Sequence, residues 1–223
     1  MATHYDLEEQ EQLAQLKHFW AKYGNLITWV LIAVLGGYAA WNGWQYWQRK
    51  SATEAAALYD ELERAAQASD LDKVKRVWSD MQQQVAGTAQ AHHAGLLAAR
   101  SLQDTGDTAG ARQALELVLN KSDDVALQSV ARLRLAALEM AAEQHDAALR
   151  WLDSGIAPEF AALADDRRGD VLLAKGQADD ARQAYRKAWD AMDATSDYRR
   201  LVEAKLNALG VNPSAPTNTE KTQ

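Results

Sequence analysis

The sequence predicts an all-α protein, with a single N-terminal transmembrane helix followed by a solenoid of helical hairpins and a C-terminal capping helix. Three observations carry this. An uncharged run interrupts a chain that is 25 % charged. Alanine is abundant, while proline occurs only at Pro158, Pro213 and Pro216. Behind the run, short motifs recur at nearly constant spacing. β-branched runs are almost confined to the uncharged stretch, so essentially no sheet is expected.

Composition also limits function. A formal charge of −7 and a pI near 5.2 argue against nucleic acid as a partner, because phosphate binding needs clustered Lys and Arg. The chain has no cysteine, which excludes disulfides, thiolate metal sites and thiol nucleophiles but selects neither redox compartment.

Residues 1–22 read as a short acidic tail, with Asp6, Glu8, Glu9 and Glu11 against Lys17 and Lys22. The 26 residues 23–48 carry no charge and would make a helix of about 39 Å, longer than a hydrocarbon core of about 30 Å. Leu26, Ile27, Val30, Leu31, Ile32, Val34 and Leu35 each favour insertion by roughly 0.3–0.6 kcal/mol. Five of the eight tryptophans lie in or beside this stretch: Trp20 and Trp29, then Trp41, Trp44 and Trp47. Trp20 with Phe19 and Tyr23 marks one end, and Trp41, Trp44, Tyr46 and Trp47 mark the other, as two headgroup-level belts require. A core helix would gain nothing from that placement. Gly37 and Ala39 offer a small-x-small pattern, but the acidic segment before the run is unlike the basic n-region of a cleaved signal. The expectation is an uncleaved anchor.

Its direction is open on charge alone, because Lys17 and Lys22 on one side balance Arg49 and Lys50 on the other. Ala33, Gly36, Gly37 and Ala40 form a small-residue face on which another transmembrane helix could pack, although Gly and Ala are common in membrane helices generally.

Residues 49–210 read as the repeat domain. Its clearest unit spans 166–192, where Gly169, Leu172, Gly176, Ala181, Tyr185 and Ala188 have the spacing of a tetratricopeptide repeat. Small residues occur where the two helices cross, Gly176 frees the turn and Tyr185 fills the gap to the next unit. Weaker copies precede it, with Val74, Ala111 and Ala148 equivalent to Ala181 and spacings of 37, 37 and 33 residues. The third copy could slip by one, pairing Ala147 with Trp151 instead of Ala148 with Leu152. Asp72, Asp146 and Asp179 fall near second-helix starts, where a carboxylate can cap free amides. Residues 196–210 look like a terminal cap packing through Leu201, Ala204, Lys205 and Ala208, and Gly210 is a natural stop. Residues 211–223, rich in Pro, Asn and Thr, are expected to be disordered.

No enzyme chemistry is expected, and neither a cofactor nor a metal. The five histidines are His4, His18, His92, His93 and His145, and the adjacent pair diverges by about 100° on a helix. The run from Gly106 to Gly110 lacks the Gly-Lys-Ser/Thr of a phosphate loop and reads as a repeat turn. Asp123 with Asp124, Asp165 with Asp166 and Asp179 with Asp180 read as helix-start acids serving the dipole. A repeat stack offers a groove instead, lined by the first helix of each hairpin. The groove-facing candidates are His93, Leu96, Arg100, Leu133, Ala137, Met140, Asp166 and Asp170, a mix suited to extended or helical peptide segments. Several of these equally fit helix-on-helix packing.

The layout of acidic tail, uncleaved helix and Ala-rich repeats, with the string ARLRLA at 131–136, resembles the YfgM family of ancillary SecYEG translocon subunits. The resemblance covers nearly the whole chain. It implies an inner-membrane protein with a cytoplasmic N-terminus and a periplasmic repeat domain. It further implies SecYEG and the PpiD chaperone as partners, with other proteins or unfolded segments bound through the repeats to aid folding or handover of translocated chains. A cytoplasm-facing adaptor that recruits soluble partners to the membrane is the alternative that the balanced charges permit.

Overall fold

The computed structural model of the chain describes residues 7–153 and 155–214, with side chains from residue 11 onward. Residues 1–6 and 215–223, including His4, Asp6 and Pro216, lie outside the described set. Among the described residues every regular element is helical: α1 Leu7–Gln67, α2 Leu71–Gln84, α3 Ala89–Asp104, α4 Thr108–Lys121, α5 Val125–Ala141, α6 His145–Leu152, α7 Ala161–Ala174, α8 Ala178–Ala191 and α9 Asp197–Ala208. A 3-10 turn at Pro158–Phe160 leads into α7. The chain divides into two compact units, the boundary falling after Ser51. The division lies within α1, which carries the uncharged stretch in its first part and the first helix of the repeat unit in residues 52–67.

In the first unit α1 already begins at Leu7, so residues 7–22 are helical. The apolar side chains of the uncharged stretch face outward: Leu26, Trp29, Val34 and Leu35 are each between 62 % and 65 % exposed. That pattern is unlike a packed core helix, whose apolar side chains are mostly buried, and it suits a lipid-facing helix. α1 is also the one candidate span among the described residues. Two of its polar side chains bond back to the helix: Thr28 Oγ1 donates to the Gly24 carbonyl at 2.8 Å and Asn42 Nδ2 to the Tyr38 carbonyl at 2.9 Å. Aromatic pairs occupy both ends of the stretch, Phe19 with Tyr23 and Trp41 with Trp44, at ring separations of 5.1 and 5.5 Å.

In the second unit, α3 pairs with α4, α5 with α6 and α7 with α8, and α9 follows. Ala55, Leu62 and Ala65 at the end of α1 share a core cluster with Val74 and Val77 of α2, and Lys73 lies 3.1 Å from Glu61. Each hairpin turns through a left-handed residue: Ser69, Gly106, Glu143 and Gly176, with φ of 55°, 83°, 59° and 77°. After each, an amide reaches back to close the preceding helix: Asp70 to the Ala65 carbonyl, Asp107 to Leu102, Gln144 to Glu139 and Gln177 to Leu172, at 2.8–3.0 Å. These turns repeat the 37, 37 and 33 spacing, and five residues beyond them Val74, Ala111, Ala148 and Ala181 are at most 1 % exposed. The third unit therefore takes the Ala148 and Leu152 register.

Three local readings need correction. The side-chain caps are Asp70 on α2, Thr88 on α3, Asp107 on α4 and Asp124 on α5. Asp72, Asp146 and Asp179 lie one or two positions inside their helices, where they serve the dipole without capping. α9 packs through Tyr198, Val202, Leu206 and Leu209, leaving Leu201, Ala204 and Ala208 exposed. The same period fits both faces, but the face one residue on carries the larger aliphatic area. Asp165 and Asp166 are not helix-start acids; they lie in the second turn of α7 and are 4 % and 0 % exposed. Of residues 211–223, Val211 packs beside Leu206, and Ser214 Oγ donates to Glu203 at 3.0 Å.

Candidate functional site

α3 contacts α5 and α5 contacts α7, so the first helices of successive hairpins adjoin one another. Of the groove candidates on these helices, His93, Arg100 and Ala137 are exposed, and Leu96, Met140 and Asp170 are half-buried. Leu133 and Asp166 are buried. Leu133 is taken up by a core cluster with Ala136, Ala148, Leu152 and Val171. The surface these helices leave open thus centres on His93, Leu96 and Arg100 of α3 and on Ala137 and Met140 of α5. One residue of that surface escaped the sequence reading. Arg134 sends Nη1 across to the Leu96 carbonyl at 2.6 Å, joining α5 to α3. Its signal was its place one helical turn before Ala137, on the same face.

Asp166 and Asp170 belong to an internal charge network. Lys205 Nζ lies 2.7 Å from a carboxylate oxygen of each. The Tyr198 hydroxyl donates to Asp166 at 2.7 Å and the Tyr185 hydroxyl to Asp170 at 2.8 Å. Burial, then the accepting carboxylate, pushes both phenols above their ordinary pKa, so they remain donors. Beside this network Asp165 pairs with Arg168 and with Lys187, the latter at 3.0 Å. Between α4, α5 and α6, Arg112 Nη1 lies 2.5 Å from Glu139 Oε1, and Trp151 Nε1 donates to the same oxygen at 3.4 Å. Arg112 holds the Glu139 carboxyl below the ordinary range. These carboxylates serve as internal ties between helices, which is a packing role. Among the described residues no group of three or more His, Cys, Asp or Glu is placed to hold a metal ion.

On the anchor, Ala33, Gly36, Gly37 and Ala40 are all exposed, and a Cβ added at Gly36 or Gly37 would meet nothing within 4 Å. No contact within the unit demands glycine there.

A helical repeat stack with an internal charge lock, an open face on its first helices and one candidate membrane span defines a class: tetratricopeptide-like interaction proteins with a candidate membrane anchor. The tetratricopeptide repeat-like domain family matches residues 17–211. An ancillary SecYEG translocon subunit from Neisseria gonorrhoeae is 30 % identical over 94 % of this chain and all of its own length. The proteins of that name from Haemophilus influenzae and Escherichia coli are each 29 % identical, over 92 % and 91 % of this chain and 99 % and 97 % of their own lengths. No solved structure gives a significant match. The chain belongs to the YfgM family, the ancillary SecYEG translocon subunits.

Proposed function

We infer that the chain is a non-enzymatic, membrane-tethered scaffold or chaperone partner at the bacterial Sec translocon. Kinship over nearly the whole length with proteins named for SecYEG carries this reading. In it, residues 23–48 anchor the chain in the inner membrane, with residues 1–22 cytoplasmic. The repeat domain, residues 49–210, then works in the periplasm, where it meets PpiD and translocated chains and aids their folding or handover. The exposed apolar stretch supports the anchor, and the open face of α3 and α5 supports binding to polypeptide segments. Ala33, Gly36, Gly37 and Ala40 are the proposed face toward another transmembrane helix.

Balanced flanking charges permit a second reading, a cytoplasm-facing adaptor that recruits soluble partners. Protease added to spheroplasts separates the two. The first reading expects cleavage of residues 52–223 without detergent. Protection of that segment, with cleavage only after lysis, supports the second and overturns the first.

A further inference from the structure

Arg134 stands in contrast to two other partly buried arginines of the repeat domain. Arg112 meets Glu139, and Arg168 meets Asp165 and Asp153. Arg134 meets the Leu96 carbonyl, and no carboxylate lies within ion-pair distance of it among the described residues. A guanidinium withdrawn from water normally gains a carboxylate in return. Its charged neighbour is Arg100, and burial first, then Arg100, lowers its hold on its proton. In a chain with seven surplus negative charges, Arg100 and Arg134 set two interacting cations on this face, with Asp104 the carboxylate recorded beside Arg100.

Geometry makes the pair usable. The bond from Nη1 to the Leu96 carbonyl fixes the Arg134 fork and leaves further N–H donors in the same plane. Arg100 has only a loose i,i+4 contact with Asp104, at 3.8 Å, with both side chains about 70 % exposed. Such a pair contributes little and yields easily to a better acceptor. Half-buried Leu96, one turn from Arg100, and exposed Ala137, one turn from Arg134, supply apolar footing beside the cations.

We propose that Arg100 and Arg134 read acidic side chains in a partner polypeptide whose sequence alternates acidic and apolar residues, with Leu96 and Ala137 taking the apolar ones. The occupant follows from charge complementarity: an Asp or Glu carboxylate accepts from both forks and relieves their mutual repulsion. This rests on the reading of the repeat domain as a polypeptide-binding module, and it adds the chemistry of what is bound.

The test uses the full chain in detergent micelles and a fluorescein-labelled decapeptide of alternating leucine and glutamate, amidated at its C-terminus. The glutamine analogue is the comparison, and fluorescence anisotropy is the readout. The glutamate peptide should bind about tenfold tighter than the glutamine peptide at low salt, with the margin shrinking as salt screens the charges. Arg134→Gln and Arg100→Gln should each remove most of that margin, and Arg186→Gln on α8 should leave it intact. Arg100 is exposed, so its variant reports on binding even if Arg134→Gln weakens the fold. Equal affinity for the two peptides overturns the inference, as does an undiminished margin in both arginine variants. Peptide discrimination and crosslinking to translocon subunits are separate readouts. Losing the first alone removes the acidic preference and leaves the scaffold reading standing; losing the second alone does the reverse.

Discussion

Lys205→Met tests the internal charge lock. Lys205 stands 2.7 Å from both Asp166 and Asp170, and Asp166 is fully buried. Methionine keeps most of the aliphatic stem but leaves buried Asp166 without its cation, and leaves Asp170 with only Arg167, a half-exposed side chain 3.5 Å away. Removing one partner of a buried pair costs about 3–5 kcal/mol. The side chains of Lys205 and Asp170 are 22 % and 20 % exposed, so water softens the loss and the lower figure, about 3 kcal/mol, applies. Lys205 also sits 5.2 Å from the Tyr185 ring centroid, a further contact that methionine replaces only in part. With a urea slope of about 2 kcal/mol/M, the midpoint should fall by roughly 1.5 M. Because repeat stacks open from their ends, hydrogen exchange should show α9 and α8 losing protection before α3 and α4. Adding Asp166→Asn should recover part of the loss, since one uncompensated charge disappears. An unchanged midpoint, or unchanged exchange in α9, would mean that Lys205 does not hold Asp166 and Asp170 in the folded protein.

Four further outcomes follow from other contacts. Gly169→Ala places a Cβ 2.5 Å from the buried Tyr185 ring, whose hydroxyl is held by Asp170; overpacking of about 1–3 kcal/mol should outweigh a helix-propensity gain of about 1 kcal/mol and lower the melting temperature. Glu143→Gly removes the left-handed penalty of an exposed turn residue and should stabilise by about 1 kcal/mol in the same melt. Burial lowers the His92 pKa against the opposing effects of a backbone hydrogen bond at Ala86 and of Asp123 and Asp124, so the unfolded chain takes up its proton first. Stability from this residue is then complete above about pH 6.5 and lost as pH falls below it, and His92→Gln should flatten the urea midpoint between pH 7 and pH 5. Leu31→Arg puts a charge in mid-stretch at roughly 2.5–3.5 kcal/mol and should shift the chain from the membrane to the soluble fraction after carbonate extraction.

Much of the fold was legible because repeat spacing is a local property. Val74, Ala111, Ala148 and Ala181 mark the hairpins in sequence and are buried in space. The turn residues two units apart, Gly106 and Gly176, were visible as glycines, while Ser69 and Glu143 were hidden by their side chains although they adopt the same left-handed backbone. What sequence could not show were pairings across long separations. Asp166 reads as a helix-start acid until Tyr198 and Lys205, 32 and 39 residues away, are brought to it. The face of α9 was rotated by one residue because both i, i+3, i+4 stripes carry apolar side chains, and only contact with Tyr185 and Ala188 selects Val202 and Leu206. His93, Leu96 and Arg100 mark the groove in sequence, and Arg134 shares the face of Ala137, but its tie to α3 is a hydrogen bond spanning 38 residues.

In the proposed function an uncleaved membrane helix tethers this repeat domain at the translocon. A photoreactive amino acid at position 37, on the face where an added side chain meets nothing, tests it directly in whole cells. Crosslinks are expected from position 37 to a membrane subunit of SecYEG, and none from a control at position 31. Crosslinks to lipid alone, or a chain recovered without its first 40 residues, would contradict it.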